Sequence, residues 1–229
     1  KAKRKFGVEL ELTPPKISYH ETITKIAKVE YRHKKQTGGH GQYGHVLLRL
    51  EPQPRGEGYT FASEVVGGNV PKEYIPAVEK GVGKALGEGG MAGYPIVDVK
   101  VILYDGSSHP VDSSGASFEI AGTMALKKGV QEGAPTLLEP VMHLAIDVPE
   151  QAAGDVIGDL NTRRAKILNM APGGGKALID AEAPQSEVQQ YSTTLRALTQ
   201  GRGSFSMEFS HYGEVPRILV EKLAEAAKR

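Results

Sequence analysis

The sequence contains no cysteine. No disulfide framework, thiol nucleophile or zinc–thiolate site can therefore be built from it, and the absence fits a reducing cytoplasm. Long apolar runs are missing too. The mean hydropathy is −0.31, and no stretch approaches the ~20 apolar residues that a membrane helix needs. No signal peptide is read at the start, because Lys1-Ala2-Lys3-Arg4-Lys5 runs into an alternating pattern rather than an apolar core. The first residue is not methionine, which leads us to expect a piece of a longer protein. An excess of charge is also lacking. The 28 basic and 27 acidic side chains leave +1, too little for a global footprint on nucleic acid.

The average hides an asymmetry. Residues 1–36 hold 10 basic and 4 acidic side chains, a local +6, while the rest carries −5. Glycine is abundant: 28 of 229 residues, about 12% against a usual ~7%. At 39% hydrophobic the chain is ordinary globular protein, long enough for one large or two small domains.

Phe6, Val8, Leu10 and Leu12 alternate with polar residues and predict a half-buried strand. Pro14-Pro15 stops it, since proline removes ladder donors. Residues 16–36 read as extended chain, Gly38 to Gly44 as a glycine-rich connection, and His45 to Glu51 as a second strand, giving a hairpin with a long turn. Tyr59 to Val66 predicts another strand. Asn69 and Pro71 signal a helix start, with the main helix beginning at Pro76 and Val78, Val82, Ala85 and Leu86 on one face. Ile96 to Leu103 is the most apolar strand, Asp105 to Gly115 a polar loop, and 116–132 a second helix.

A composition break falls at 133–140. After it come strand 141–148, helix 150–164, strands 165–171 and 176–183, helix 186–197 and strand 203–211. That βαββαβ order is the ferredoxin-like split motif. A last helix begins at Pro216, with Leu219, Val220, Leu223 and Ala227 as its apolar stripe.

The motifs point away from catalysis. Gly173-Gly174-Gly175-Lys176 is followed by Ala177, so the hydroxyl that a phosphate loop offers to magnesium is missing. Gly38 to Gly44 has no lysine and leads into a strand rather than a helix N-terminus. The seven histidines lack helical metal-site spacing, and there is no nucleophile elbow. We therefore expect no catalytic, cofactor or metal site in this chain. The loop from Tyr104 to Gly115 is different in character. It gathers Ser107, Ser108, Asp112 and Ser113 around His109, with Pro110 limiting its freedom. A restrained imidazole among small donors suits contact with RNA bases, phosphates or 2′-hydroxyls; a solvated polar loop is the plain alternative.

Six segments, in order, carry a resemblance. They are Gln36 to Val46 (QTGGHGQYGHV), Val65 to Val78 (VVGGNVPKEYIPAV), Asp98 to Asp112, Leu138 to Met142 (LEPVM), Gly154 to Asn161 (GDVIGDLN) and Thr199 to Phe205 (TQGRGSF). Together they resemble bacterial translation elongation factor G over essentially the whole chain. The resemblance implies an α+β chain of two domains. Residues 1–15 would end domain III and form a linker. Residues 16–136, completed by helix 214–229, would be domain IV, a ribosomal-protein-like βαβ domain with a left-handed crossover. Residues 137–213 would be domain V, ferredoxin-like.

The family's activity is then the expectation: a ribosome-binding arm of a translational GTPase that promotes tRNA–mRNA translocation. The expected partners are 16S and 23S rRNA, ribosomal proteins and the tRNA–mRNA pair in the decoding region, with a cytoplasmic, monomeric protein and no membrane. GTP and magnesium are expected in the missing N-terminal domain. The resemblance places the tip at His109 as main contact, Gln42 as a second hydrogen-bonding group, and Ser107 and Ser108 as supporting donors, with His40, Gly41, Gly106 and Pro110 around them. In domain V, Arg163 and Arg164 are candidates for rRNA phosphates; complementing a helix dipole is the alternative. The family often has Arg where this chain has His20 and His40. With Gly81, Gly83, Gly87 and Gly89 in one helix, this predicts a divergent paralogue. A recycling or ribosome-protection factor of the same architecture is the alternative function, and a free-standing glycine-loop enzyme a more distant one.

Overall fold

The computed structural model describes residues 15–36, 39 and 41–227. The predicted strand Phe6 to Leu12 lies outside them. The chain divides into two compact units: Tyr19–Glu139 with Tyr212–Arg229, and Lys1–Ser18 with Pro140–His211.

The first unit is built on a four-stranded sheet of β2 (Ala27–Lys35), β3 (Gln42–Pro52), β4 (Tyr59–Ser63) and β5 (Val99–Ser107), in the order β2-β3-β5-β4. β2 and β3 form the predicted antiparallel hairpin, from Ala27↔Leu50 to Lys35↔Gln42. β4 runs parallel to β5, so helix α1 (Ile75–Glu88) is the crossover between them. Alternation decides which face is buried: Ala27 and Val29 are buried while Lys28 and Glu30 are exposed. Val46, Leu48 and Leu50 from β3 join Val99, Val101 and Leu103 from β5 under α1 and α2 (Gly115–Glu132).

The two helices approach closely, and glycine permits it. A Cβ at Gly81 would collide with the Glu119 carbonyl, and one at Gly122 would lie 2.7 Å from the Val78 carbonyl oxygen. Thr123 Oγ1 donates to the Gly81 carbonyl at 3.0 Å across the same contact. Gly89 ends α1 at φ 76, a conformation that costs glycine nothing. Two of the four unusual glycines are thus geometric necessities, whereas a Cβ at Gly83 or Gly87 would meet open space.

A short ladder completes this unit. β1 (His20–Ile23) pairs antiparallel with the first residues of β6 (Pro135–Pro149), from His20↔Leu138 to Ile23↔Pro135. Glu21, on β1, is fully buried. An unpartnered buried carboxylate would be costly, but this one accepts the backbone N–H groups of Gly90, Met91, Ala92 and Tyr94 at 2.7–3.1 Å. It pins the loop after α1. The last helix, α6 (Arg217–Ala227), buries Ala224 with Ala92, Leu137 and Val215, and Leu219, Val220 and Leu223 pack against that cluster.

In the second unit β6 pairs antiparallel with β8 (Lys176–Pro184), and β8 with β7 (Lys166–Gly173). β9 (Ser204–Glu214) joins β6, so the order is β9-β6-β8-β7. α3 (Ala153–Thr162), α4 (Gln185–Val188) and α5 (Tyr191–Leu198) supply Val156, Leu160, Val188, Tyr191 and Leu195 to a core with Leu144, Ile146, Val148, Ile179 and Ala181. The βαββαβ order holds, with the second predicted helix split into α4 and α5.

The composition break at 133–140 contains the boundary between the two units, at Glu139 and Pro140, and β6 carries the chain across it. Pro140 falls between the last residue paired with β1, Leu138, and the first paired with β8, Val141, where neither ladder needs its N–H. β5 also continues to Ser107, through Asp105-Gly106, which reads locally as a turn. A bulge between Leu47 and Leu48 shifts the register, and Gly106 lies so close to the His45 carbonyl that no Cβ would fit.

Candidate nucleic-acid interface

Two loops meet at one end of the four-stranded sheet. The first joins β2 to β3; the second follows β5 and leads into α2, whose N-cap Ser114 accepts the Ser117 N–H at 3.2 Å. Asp112 joins them. Its Oδ1 accepts the Gly41 N–H at 3.0 Å and its carbonyl accepts the Tyr43 N–H at 2.8 Å. Ser113 Oγ donates to the Tyr43 carbonyl at 3.0 Å and accepts the His109 N–H at 2.8 Å. A Cβ on Gly41 would lie within 3.0 Å of three Asp112 carboxylate atoms, so glycine is what lets the first loop sit on the second. At the base, the Asn69 amide and then the Gly106 N–H hold the Asp105 carboxyl below the usual carboxylate range.

His109 stands at the tip of the second loop with 49% of its side chain exposed. Its Nδ1 accepts the backbone N–H groups of Asp112 at 3.1 Å and Val111 at 3.3 Å. A nitrogen that accepts carries no proton, so the neutral ring has its proton on Nε2. Among the described residues Nε2 has no partner. The backbone holds one edge of the imidazole, and the other is left as a donor. Tyr43 lies 6.1 Å away, ring to ring and tilted. Pro110 and Val111 are exposed beside it.

The other expected tip residues divide. Gln42 is exposed, and its Oε1 is engaged by His33 Nε2 at 2.8 Å, which leaves its amide N–H groups for an outside acceptor. Ser108 is exposed. Ser107 is not a free donor: its Oγ lies 2.8 Å from both Tyr43 Oη and His45 Nδ1. Gly106 is buried in the β3–β5 ladder and positions the loop rather than lining its surface. His40 lies outside the described residues. Sequence reasoning missed Tyr43 and His45. The signal was the alternation of β3, which puts both on the face away from the helices, opposite Ser107.

In the second unit Arg163 and Arg164 are used internally. The Arg163 guanidinium donates to Asp159 at 2.7 Å, to the Glu187 carbonyl at 2.8 Å and to Thr194 Oγ1 at 3.0 Å, and it lies 5.4 Å over the Tyr191 ring. Arg164, at φ 58, donates to Glu187 Oε1 at 3.0 Å and Ser186 Oγ at 3.4 Å. Arg163 ties the end of α3 to α4 and α5, and Arg164 ties it to α4. Burial pushes the Tyr191 phenol up to about 12, with the Asp159 charge adding to it and Arg163 opposing. Among the described residues no helix is long and apolar enough to cross a membrane.

Comparison with known proteins bears on this arrangement. The family described as elongation factor G, domain IV, matches residues 15–134, and that described as elongation factor G C-terminus matches 136–223. An "Elongation factor G-like protein" of Thermotoga maritima is 50% identical over 228 residues, 99% of this chain and 33% of that protein. A crystal structure of a Thermus thermophilus protein superposes with a TM-score of 0.84 at 44% identity, over 98% of this chain and 34% of that one. The chain spans about a third of the length of these relatives, and its α+β architecture is that of the Thermus thermophilus structure.

Proposed function

The chain belongs to the elongation factor G family, and from that premise we propose that it is the ribosome-engaging part of a translational GTPase that moves tRNA and mRNA by one codon. The observation that carries the reading is the anchored imidazole of His109. Two backbone N–H groups hold its Nδ1, so Nε2 presents a fixed donor to a phosphate, 2′-hydroxyl or base acceptor. Gln42 offers its amide from the neighbouring loop. Because Asp112 and Ser113 bind the first loop, the pair meets RNA with little left to order, which lowers the cost of binding.

On this reading the first unit is the arm that enters the decoding region and contacts the tRNA–mRNA pair. The second leans on large-subunit rRNA through groups other than Arg163 and Arg164. GTP and magnesium belong to the part of the relatives that this chain does not span. The near-neutral charge suits a ligand that must leave in every cycle, because many phosphate contacts would slow release.

The test uses the full-length factor. His109→Ala should slow single-round translocation by about tenfold or more, the scale of a hydrogen bond made at the moving step. Ribosome-stimulated GTP hydrolysis should stay near normal. Unchanged translocation with a folded variant sinks the tip assignment. Unchanged translocation together with slowed subunit splitting in the presence of recycling factor would favour a recycling role.

A further inference from the structure

His45 belongs to neither loop, yet it is one of the few buried polar side chains, at 8% exposure. Both of its ring nitrogens are engaged. Nε2 lies 2.8 Å from Glu30 Oε1 on the edge strand, and Nδ1 lies 2.8 Å from Ser107 Oγ. Ser107 Oγ in turn lies 2.8 Å from Tyr43 Oη. The chemistry of the end groups sets the direction of this chain. A carboxylate only accepts, so Nε2 carries the proton. In the neutral ring Nδ1 then accepts, so the Ser107 hydroxyl donates to it. The remaining lone pair of Ser107 receives the Tyr43 hydroxyl. With the ring neutral, every proton points from the tip toward the β2 edge.

Tyr43 is also where the two loops are joined. Its N–H and carbonyl bind Asp112 and Ser113, and Ser113 Oγ holds the His109 backbone. We infer that His45 is a positioning residue: by orienting the Ser107 and Tyr43 hydroxyls it fixes the seat on which the His109 loop rests. The inference rests on the proposed tip role of His109. It also accounts for Ser107, whose hydroxyl proton is committed to His45 and is not a donor to RNA.

Four variants of the full-length factor test it. His45→Phe removes both bonds at similar volume. Ser107→Ala removes the middle of the chain. The double variant joins them, and His45→Asn keeps an acceptor near the place of Nδ1. His45→Phe and Ser107→Ala should each lower the maximal translocation rate about 3- to 10-fold, the scale of one lost buried hydrogen bond, with the half-saturating factor concentration unchanged. The double variant should be no slower than the slower single one, because both cut the same chain. His45→Asn should recover most of the rate, which general loss of packing would not allow. If His109→Ala is slow while folded His45→Phe runs at the normal rate, the positioning role is overturned. If His109→Ala itself runs at the normal rate, the tip assignment fails instead. The 229-residue chain then decides the present inference alone: nitrogen NMR should show the His109 ring signals shifted in His45→Phe and in Ser107→Ala, and unshifted signals overturn it. Should His45→Phe fail to fold, Ser107→Ala gives the same readouts, with His45→Asn as the near-normal control.

Discussion

The loop pair of the first unit and the arginine pair of the second are both rich in polar groups, and they use them in opposite ways. At the loops, internal bonds hold one edge of each key group and leave the other edge outward. His109 is held at Nδ1 and Gln42 at Oε1. At the arginines the charged groups themselves turn inward. Arg163 alone meets a carboxylate, a carbonyl, a hydroxyl and an aromatic face. On the proposed reading, preorganisation for an outside partner and bracing of a core use the same residue types. What separates them is which atoms remain unspent.

Substitutions can break or sharpen that contrast. The largest effect expected is on stability. Arg163→Ala should destabilise the second unit by about 2–3 kcal/mol, since it removes charge-assisted bonds and leaves partly buried partners unpaired. Denaturant titration measures it; a folded variant with native stability and weakened ribosome binding would instead make Arg163 a contact residue. Asp112→Ala should release the first loop from the second and slow translocation about tenfold, with faster amide exchange at Gly41 and Tyr43 as the local signature. Gln42→Ala should cost only about threefold in the same assay, one exposed hydrogen bond. An effect as large as that of His109→Ala would overturn their ranking.

The smallest effect concerns pH. His20 stacks on Tyr212 at 4.3 Å, and burial pulls its pKa below the usual imidazole value, with Asp98 opposing. The folded state then binds protons less readily than the unfolded one. Stability is complete above the unfolded value of about 6.5 and is lost as the pH falls through the lowered folded value. His20→Phe should flatten that part of the curve, measured as thermal midpoint against pH. An unchanged slope would assign the dependence to other groups.

Much of the fold was legible in the sequence because its signals are local. The extended composition of 16–36 and the apolar run Ile96–Leu103 need only near neighbours, as do Pro76 near the start of α1 and the glycines that turn β7 into β8. The errors came where a local signal was overridden. Asp105-Gly106-Ser107 has turn composition but is a strand end, because glycine is required against the His45 carbonyl.

The proposed site was legible in its residue types only. His109 and Gln42 are visible as residue types in short motifs. Their anchors are not, because Gly41 meets Asp112 from 71 positions away and His45 meets Ser107 from 62. Arg163 and Arg164 looked available for the same reason, since Glu187 and Thr194 are 23 to 31 residues distant.

By itself the sequence determined most of the order of strands and helices, the exclusion of thiol and phosphate-loop chemistry, and the motifs that place the chain in its family. Composition, periodicity and short spacing decide such things through interactions a few residues long. Only the tertiary structure decided which polar atoms are spent internally and which face outward. Hydrogen-bond valence is finite, and its allocation depends on partners that folding brings together from far along the chain.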